Sequence, residues 1–130
     1  MNMTFIVVMG MLCFNQHYCV DVPYNTTVHI TDNNTLLTEK CWQPVSGCAV
    51  LQKKEIWIID SQGGYRYRMS TLFHELLHHE YYAFKGITGH PYELVERANA
   101  LSDSLGTSKY ITEGEYERLK TSAKSKIVYR

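Results

Sequence analysis

The stretch Thr71-Leu-Phe-His-Glu-Leu-Leu-His-His-Glu80 sets His74 and His78 four positions apart, with Glu75 beside the first of them. In a strand those two histidines would stand about 13 Å apart; in a helix they sit one turn above each other on one face. A chain that uses them together must be helical here. The neighbouring signals agree: Ser70 or Thr71 suits a helix cap, the apolar pattern continues to Lys85, and Gly86 supplies a stop.

Around that helix the sequence divides into strands before and helices after. Glu55 to Asp60 (Glu-Ile-Trp-Ile-Ile-Asp) is apolar, β-branched and aromatic, and reads as the best strand, ended by a loop over Ser61 to Gly64. Val20 to Tyr24 and Thr27 to Thr31 read as two further strands, with Asp32-Asn33-Asn34 as a turn. Cys41 to Cys48 contains Pro44 and Gly47 and reads as a loop pinched at its ends by a disulfide. Downstream, Pro91 opens a second helix running to about Leu105, and Thr112 with Glu115 forms a capping box for a third through about Lys124. This order predicts an α+β fold, a small N-terminal β-sheet followed by the motif helix and a second helix. A chain of 130 residues buries roughly two-thirds of its unfolded surface, enough for a single domain over 1–130.

The N-terminal segment 1–20 has two readings. Thr4 to Phe14 is an apolar run of signal-peptide length, but no basic residue precedes it and no small-x-small cleavage pattern follows; a buried first strand fits equally. The run is too short to span a bilayer. Four cysteines in two close pairs, Cys13 with Cys19 and Cys41 with Cys48, are compatible with two local disulfides and a secreted or extracytoplasmic setting; four buried thiols in the cytoplasm are the other reading. Thirteen basic residues balance thirteen acidic ones, so no charge excess draws the chain to a phosphate backbone, and nucleic acid is not an expected partner.

Two imidazoles on one helix face reach a single metal ion, and zinc is the ion that takes such nitrogen ligands while keeping a position open for water. Bound water then has a pKa near 7, and a carboxylate at Glu75 is placed to accept its proton. The stretch from Thr71 to Glu80 resembles the active-site helix of the zincin metallopeptidases, and Ile56 to Asp60 resembles the edge strand on which zincins align an extended substrate. The resemblance implies zinc ligation by His74 and His78, catalysis by Glu75, and a peptide or protein substrate.

A mononuclear catalytic zinc takes a third protein ligand. The metzincin pattern would need Gly at 81 and His at 84, where this chain has Tyr81 and Phe84. The segment Tyr92 to Asp103 is similar to the glutamate helix of gluzincins. Leu94, Ala98, Leu101 and Leu105 form its apolar face and Glu96, Asn99 and Asp103 a polar stripe, which makes Glu96 the expected ligand and Glu93 the next choice. Asn99 or Asp103 would then support a ligand imidazole, and His90 or Tyr92 would donate to the reacting carbonyl. Alternatively Gly89-His90-Pro91 resembles the SprT-like metalloproteases and makes His90 the third ligand. Gly47-Cys48 is similar to the Gly-Cys segment of peptide deformylases, whose other signatures are absent. His79 lies about 140° round the helix from His74 and reads as a supporting or surface residue, while His17 and His29 read as structural. The expected activity is zinc-dependent peptide hydrolysis; the alternative is an inactive zincin-like module that keeps the metal for binding.

Overall fold

In the computed structural model, residues 2–60 and 64–107 and the backbone of 128–129 are described. The fold is α+β, as the order of elements predicts. Strands β1 (Met3–Val7), β4 (Thr26–Thr31), β6 (Glu55–Ile59), β5 (Gly47–Val50) and β7 (Val128–Tyr129) form one mixed sheet in the order β1-β4-β6-β5-β7. Strands β2 (Gly10–Cys13) and β3 (Cys19–Val22) form a separate antiparallel hairpin closed by the Cys13–Cys19 disulfide. The helices are α1 (Asn34–Cys41), α2 (Gly64–Lys85) and α3 (Tyr92–Ser104).

Side-chain alternation sorts the sheet into two faces. Val28, Ile30, Ile56 and Ile58 point to one side and pack with Phe73, Leu76, Leu77 and Tyr81 of α2 and Leu94, Ala98 and Leu101 of α3. At about 1.5–3 kcal/mol per fully buried large side chain, this cluster is the main driving force for the fold. Trp57, Cys48 and Val50 face the other way and pack on Leu37 and Cys41 of α1, where the Cys41–Cys48 disulfide joins helix to strand.

Several sequence expectations are corrected. The zincin resemblance makes Ile56 to Asp60 an edge strand, yet β6 is central, parallel to β4 on one side and antiparallel to β5 on the other. Its continuous apolar run from Ile56 to Ile59 suits burial on both faces. Helix α2 begins at Gly64 rather than near Thr71. Tyr65 to Met69 extend it, the Ser70 hydroxyl bonds Thr107 Oγ1 at 2.7 Å, and Thr71 is interior. Asp32-Asn33-Asn34 is the start of α1, with the Asn33 side chain accepting from the Leu36 amide at 3.0 Å. The N-terminal run does form the first strand, β1, and then β2, but it is half-buried: Phe5, Val7 and Leu12 pack against the core while Met3, Ile6, Met9 and Met11 are exposed. The helix expected over 112–124 lies outside the described residues.

One polar cluster fixes α2 against α3 and the hairpin. Arg97 donates to Glu80 Oε1 at 2.6 Å and to the Cys19 carbonyl at 3.0 Å, and Glu80 Oε2 accepts the Asp21 amide at 2.6 Å. Charge-assisted bonds of this kind hold geometry as well as adding stability. No helix among the described residues is long and apolar enough to cross a membrane.

Candidate metal centre

Helix α2 carries His74, Glu75 and His78 between the sheet and α3. The helix is held there by Phe73, just before the motif, and by Leu76 and Leu77 within it, which pack into the core. His74 and His78 bring their Nε2 atoms to 3.2 Å. After Lys85 the chain turns at Gly86 (φ +64°) and Gly89 (φ +95°), conformations that glycine adopts without a Cβ penalty, and returns His90 to the same place. His90 is 4% exposed, and its ring lies 4.7 Å from that of His78 and 5.5 Å from that of His74.

The three imidazoles offer nitrogen atoms that all lie within 4.8 Å of one another. Zinc at about 2.0–2.1 Å from each nitrogen in a tetrahedral site spaces its ligands by about 3.3 Å, close to the His74–His78 separation. The donor set, three histidines of which His74 and His90 line an open cleft, could hold a metal ion, and its all-nitrogen chemistry is one that zinc accepts. That cleft, about 320 Å³, is walled by Val45 to Gly47 leading into β5, by Tyr67, Thr71, His74 and Glu75 of α2, by His90, and by Asn99 and Ser102 of α3.

Glu75 is 2% exposed yet lines the cleft. Its position depends on Gly47: a Cβ built there would lie 2.5 Å from Thr71 Cγ2, 3.1 Å from the Trp57 carbonyl oxygen and 3.6 Å from Glu75 Oε2. Thr71 is β-branched and helical, so its methyl has little freedom to withdraw. Gly47→Ala is expected to destabilise the fold by about 1–3 kcal/mol, and Thr71→Ser, which removes the offending methyl, to recover most of that loss. Urea unfolding of the single and double variants reads both numbers; a Gly47→Ala protein as stable as its parent would refute the close approach of β5 to α2.

The glutamates of α3 stand elsewhere. Glu96 is exposed and outside the histidine cluster, as is Glu93. The cleft lies off Ala98, Asn99 and Ser102, and Glu96 is about 60° further round the helix than Asn99. Glu93 faces Lys85 at 3.6 Å, and the Tyr81 hydroxyl, then Lys85, hold its carboxyl below the usual range. Of the α3 polar stripe only Asn99 reaches the cleft; Asp103 is exposed, and Tyr92 is exposed and does not line it. Cys48, bound to Cys41, is not a ligand.

His79 is fully buried on the sheet side. Its Nε2 donates to the Glu55 carbonyl at 2.9 Å and its Nδ1 accepts from the Tyr24 hydroxyl at 2.5 Å. Burial pushes the imidazole pKa down to about 4, against the pull of the Glu55 carbonyl, and raises Tyr24 to about 12, so the ring is neutral and the phenol protonated. His79 thus anchors α2 to β6 in the register that turns His74 toward the cleft and sets His78 beside it. His17 is exposed, and His29 stacks on Trp57 at 4.1 Å.

The residues that sequence reasoning misses are Tyr67, Ser70, Ser102 and Thr107, all lining the cleft. Tyr67 and Ser70 fall where the sequence suggests a loop or a cap, and nothing in their spacing marks them. No protein-family profile, curated protein or solved structure matches this chain.

Proposed function

We propose that this chain is a zinc-dependent metallopeptidase, with His74, His78 and His90 holding the metal and Glu75 as general base. The observation that carries the reading is the convergence of His90, from a separate loop, on the two motif histidines beside Glu75. A chance His-Glu-x-x-His helix has no reason to collect a third imidazole at an open cleft. The three-histidine set is the arrangement implied by the SprT-like resemblance, in place of the expected glutamate ligand.

Zinc held there supplies a Lewis acid for the scissile carbonyl and water of lowered pKa. The chain's own residues do the rest. Val45 to Gly47, leading into β5, offer backbone groups along which an extended peptide can lie, the usual way a sheet margin binds a strand. Glu75, held by the packing of α2 against Gly47, takes the proton of the attacking water and passes it to the leaving amine. Burial of Glu75 and His78 keeps the reacting groups from competing water.

A second reading, a metal-holding module that binds peptides without cutting them, draws on β7, which takes up the outer edge of β5 at Ala49 and Val50. Two disulfides support an oxidising compartment for either reading. Purified protein, incubated with a mixed peptide library with and without a chelator, separates the two. Chelator-sensitive cleavage restored by zinc is the expected result; about one equivalent of bound zinc with no cleavage would leave the binding module, and less than about a tenth of an equivalent would remove both.

A further inference from the structure

Beyond the histidines and Glu75, the cleft is lined by neutral groups. Among the described residues its far wall consists of Tyr67, Ser70, Ala98, Asn99, Ser102 and Thr107, and the only carboxylate facing it is Glu75. Part of this wall is internally satisfied. Thr107 Oγ1 donates to the Ser102 carbonyl at 3.3 Å, so the Ser70 hydroxyl donates to Thr107 at 2.7 Å. The Asn99 carboxamide and the Ser102 hydroxyl make no such bond among the described residues and face the cleft from successive turns of α3. Between them they offer donors and acceptors to a guest group.

We infer that this wall is a specificity pocket for an uncharged hydrogen-bonding side chain, carboxamide or hydroxyl, next to the scissile bond. The inference rests on the peptidase reading for the place of the scissile bond, and on the wall's own chemistry for the choice of side chain. A carboxamide pairs with Asn99 donor to acceptor and acceptor to donor. A hydroxyl engages Ser102 or Asn99 in the same way. A lysine or aspartate side chain would leave water for a wall that itself holds no opposite charge, since Glu75 and the histidine-held metal are turned to the reaction. An aliphatic side chain would strand the amide and the hydroxyl, and sites built from polar groups reject guests that leave them unpaired. The volume of about 320 Å³ admits a glutamine with its backbone.

The test uses fluorescein-labelled alanine-based decapeptides carrying Gln, Ser, Leu, Lys or Asp at one central position. They are titrated by anisotropy onto zinc-loaded Glu75→Gln protein, and the unlabelled peptides are offered to the parent with cut positions read by mass spectrometry. The Gln and Ser peptides are expected to bind at least about tenfold more tightly than the Leu, Lys and Asp peptides. Asn99→Asp should invert the order of Gln and Lys, and Asn99→Leu should favour Leu, with circular dichroism confirming that both variants are folded. Ser102→Ala, a smaller change, should weaken the Ser peptide more than the Leu peptide. Equal binding of Gln and Lys peptides, an order unmoved by Asn99→Asp, or no binding of any peptide overturns the inference. A preserved binding order with no cleavage by the parent supports the pocket and overturns only the peptidase reading.

Discussion

Glu75→Gln is expected to retain zinc at the parent's affinity while peptide cleavage falls by about 10²–10⁴-fold. The substitution is close to isosteric, and the side chain sits in a tight place between Gly47, Thr71 and the cleft, so its geometry is preserved. What it loses is the basic oxygen that accepts a proton from water and the acid form that returns it to the amine. Because Glu75 is outside the three-histidine group, metal content should stay at one equivalent by elemental analysis, and kcat rather than KM should carry the loss. A Glu75→Gln protein that cleaves as fast as the parent would rule out the general-base role. One that loses zinc would place Glu75 among the ligands instead.

The second large effect separates the two candidate ligand sets. His90→Ala is expected to weaken zinc binding by about 10²–10³-fold, since one of a few ligands sharing roughly 10–16 kcal/mol of binding is removed. Glu96→Ala and Glu93→Ala should leave affinity unchanged, because both side chains are exposed and turned from the imidazoles. Competition against a chromophoric chelator gives the three affinities directly. If Glu96→Ala were the damaging change, α3 would have to rotate from the face it presents, and the three-histidine centre would be abandoned. Since His90 is buried, a far-ultraviolet spectrum and a melt of the zinc-free variant are needed alongside, to show that lost affinity is not lost fold.

Local signals in the sequence make the motif helix, the strand at 55–59, the α3 helix and the α+β class legible. Each is written in nearest-neighbour terms: period-3.6 apolar positions, β-branched runs, glycine after a helix, proline before one. The same signals misjudge the caps at Ser70 and Asn33, and the zincin resemblance misjudges the place of the strand from Ile56, because all three depend on distant residues. Ser70 and Thr71 have the chemistry of a helix cap, but Thr107 supplies a partner for Ser70 inside the fold, and the helix runs on toward Gly64. Ile56 to Ile59 could be a central or an edge strand from its composition alone; the arrival of β4 and β5 on its two sides decided it. Asn33 could end a strand in a turn or cap a helix, and Leu37 packing on Trp57 and the Cys41–Cys48 link favour the short α1.

The candidate metal centre divides in the same way. His74, Glu75 and His78 were determined by the sequence itself, because their relation is set by the pitch of one helix and needs nothing from the rest of the chain. The third imidazole was not, since Glu93, Glu96 and His90 all lie within reach in sequence and their positions depend on how α3 is rotated against α2. That rotation follows from burying Leu94, Val95, Ala98 and Leu101 and from Arg97 clasping Glu80, which leaves Glu96 in solvent. His90 arrives through two left-handed glycines, a path no periodicity records. The neutral wall of Asn99 and Ser102 was likewise decided by tertiary structure alone, because a helix face acquires a chemical meaning only when packing fixes which groups look into the cleft.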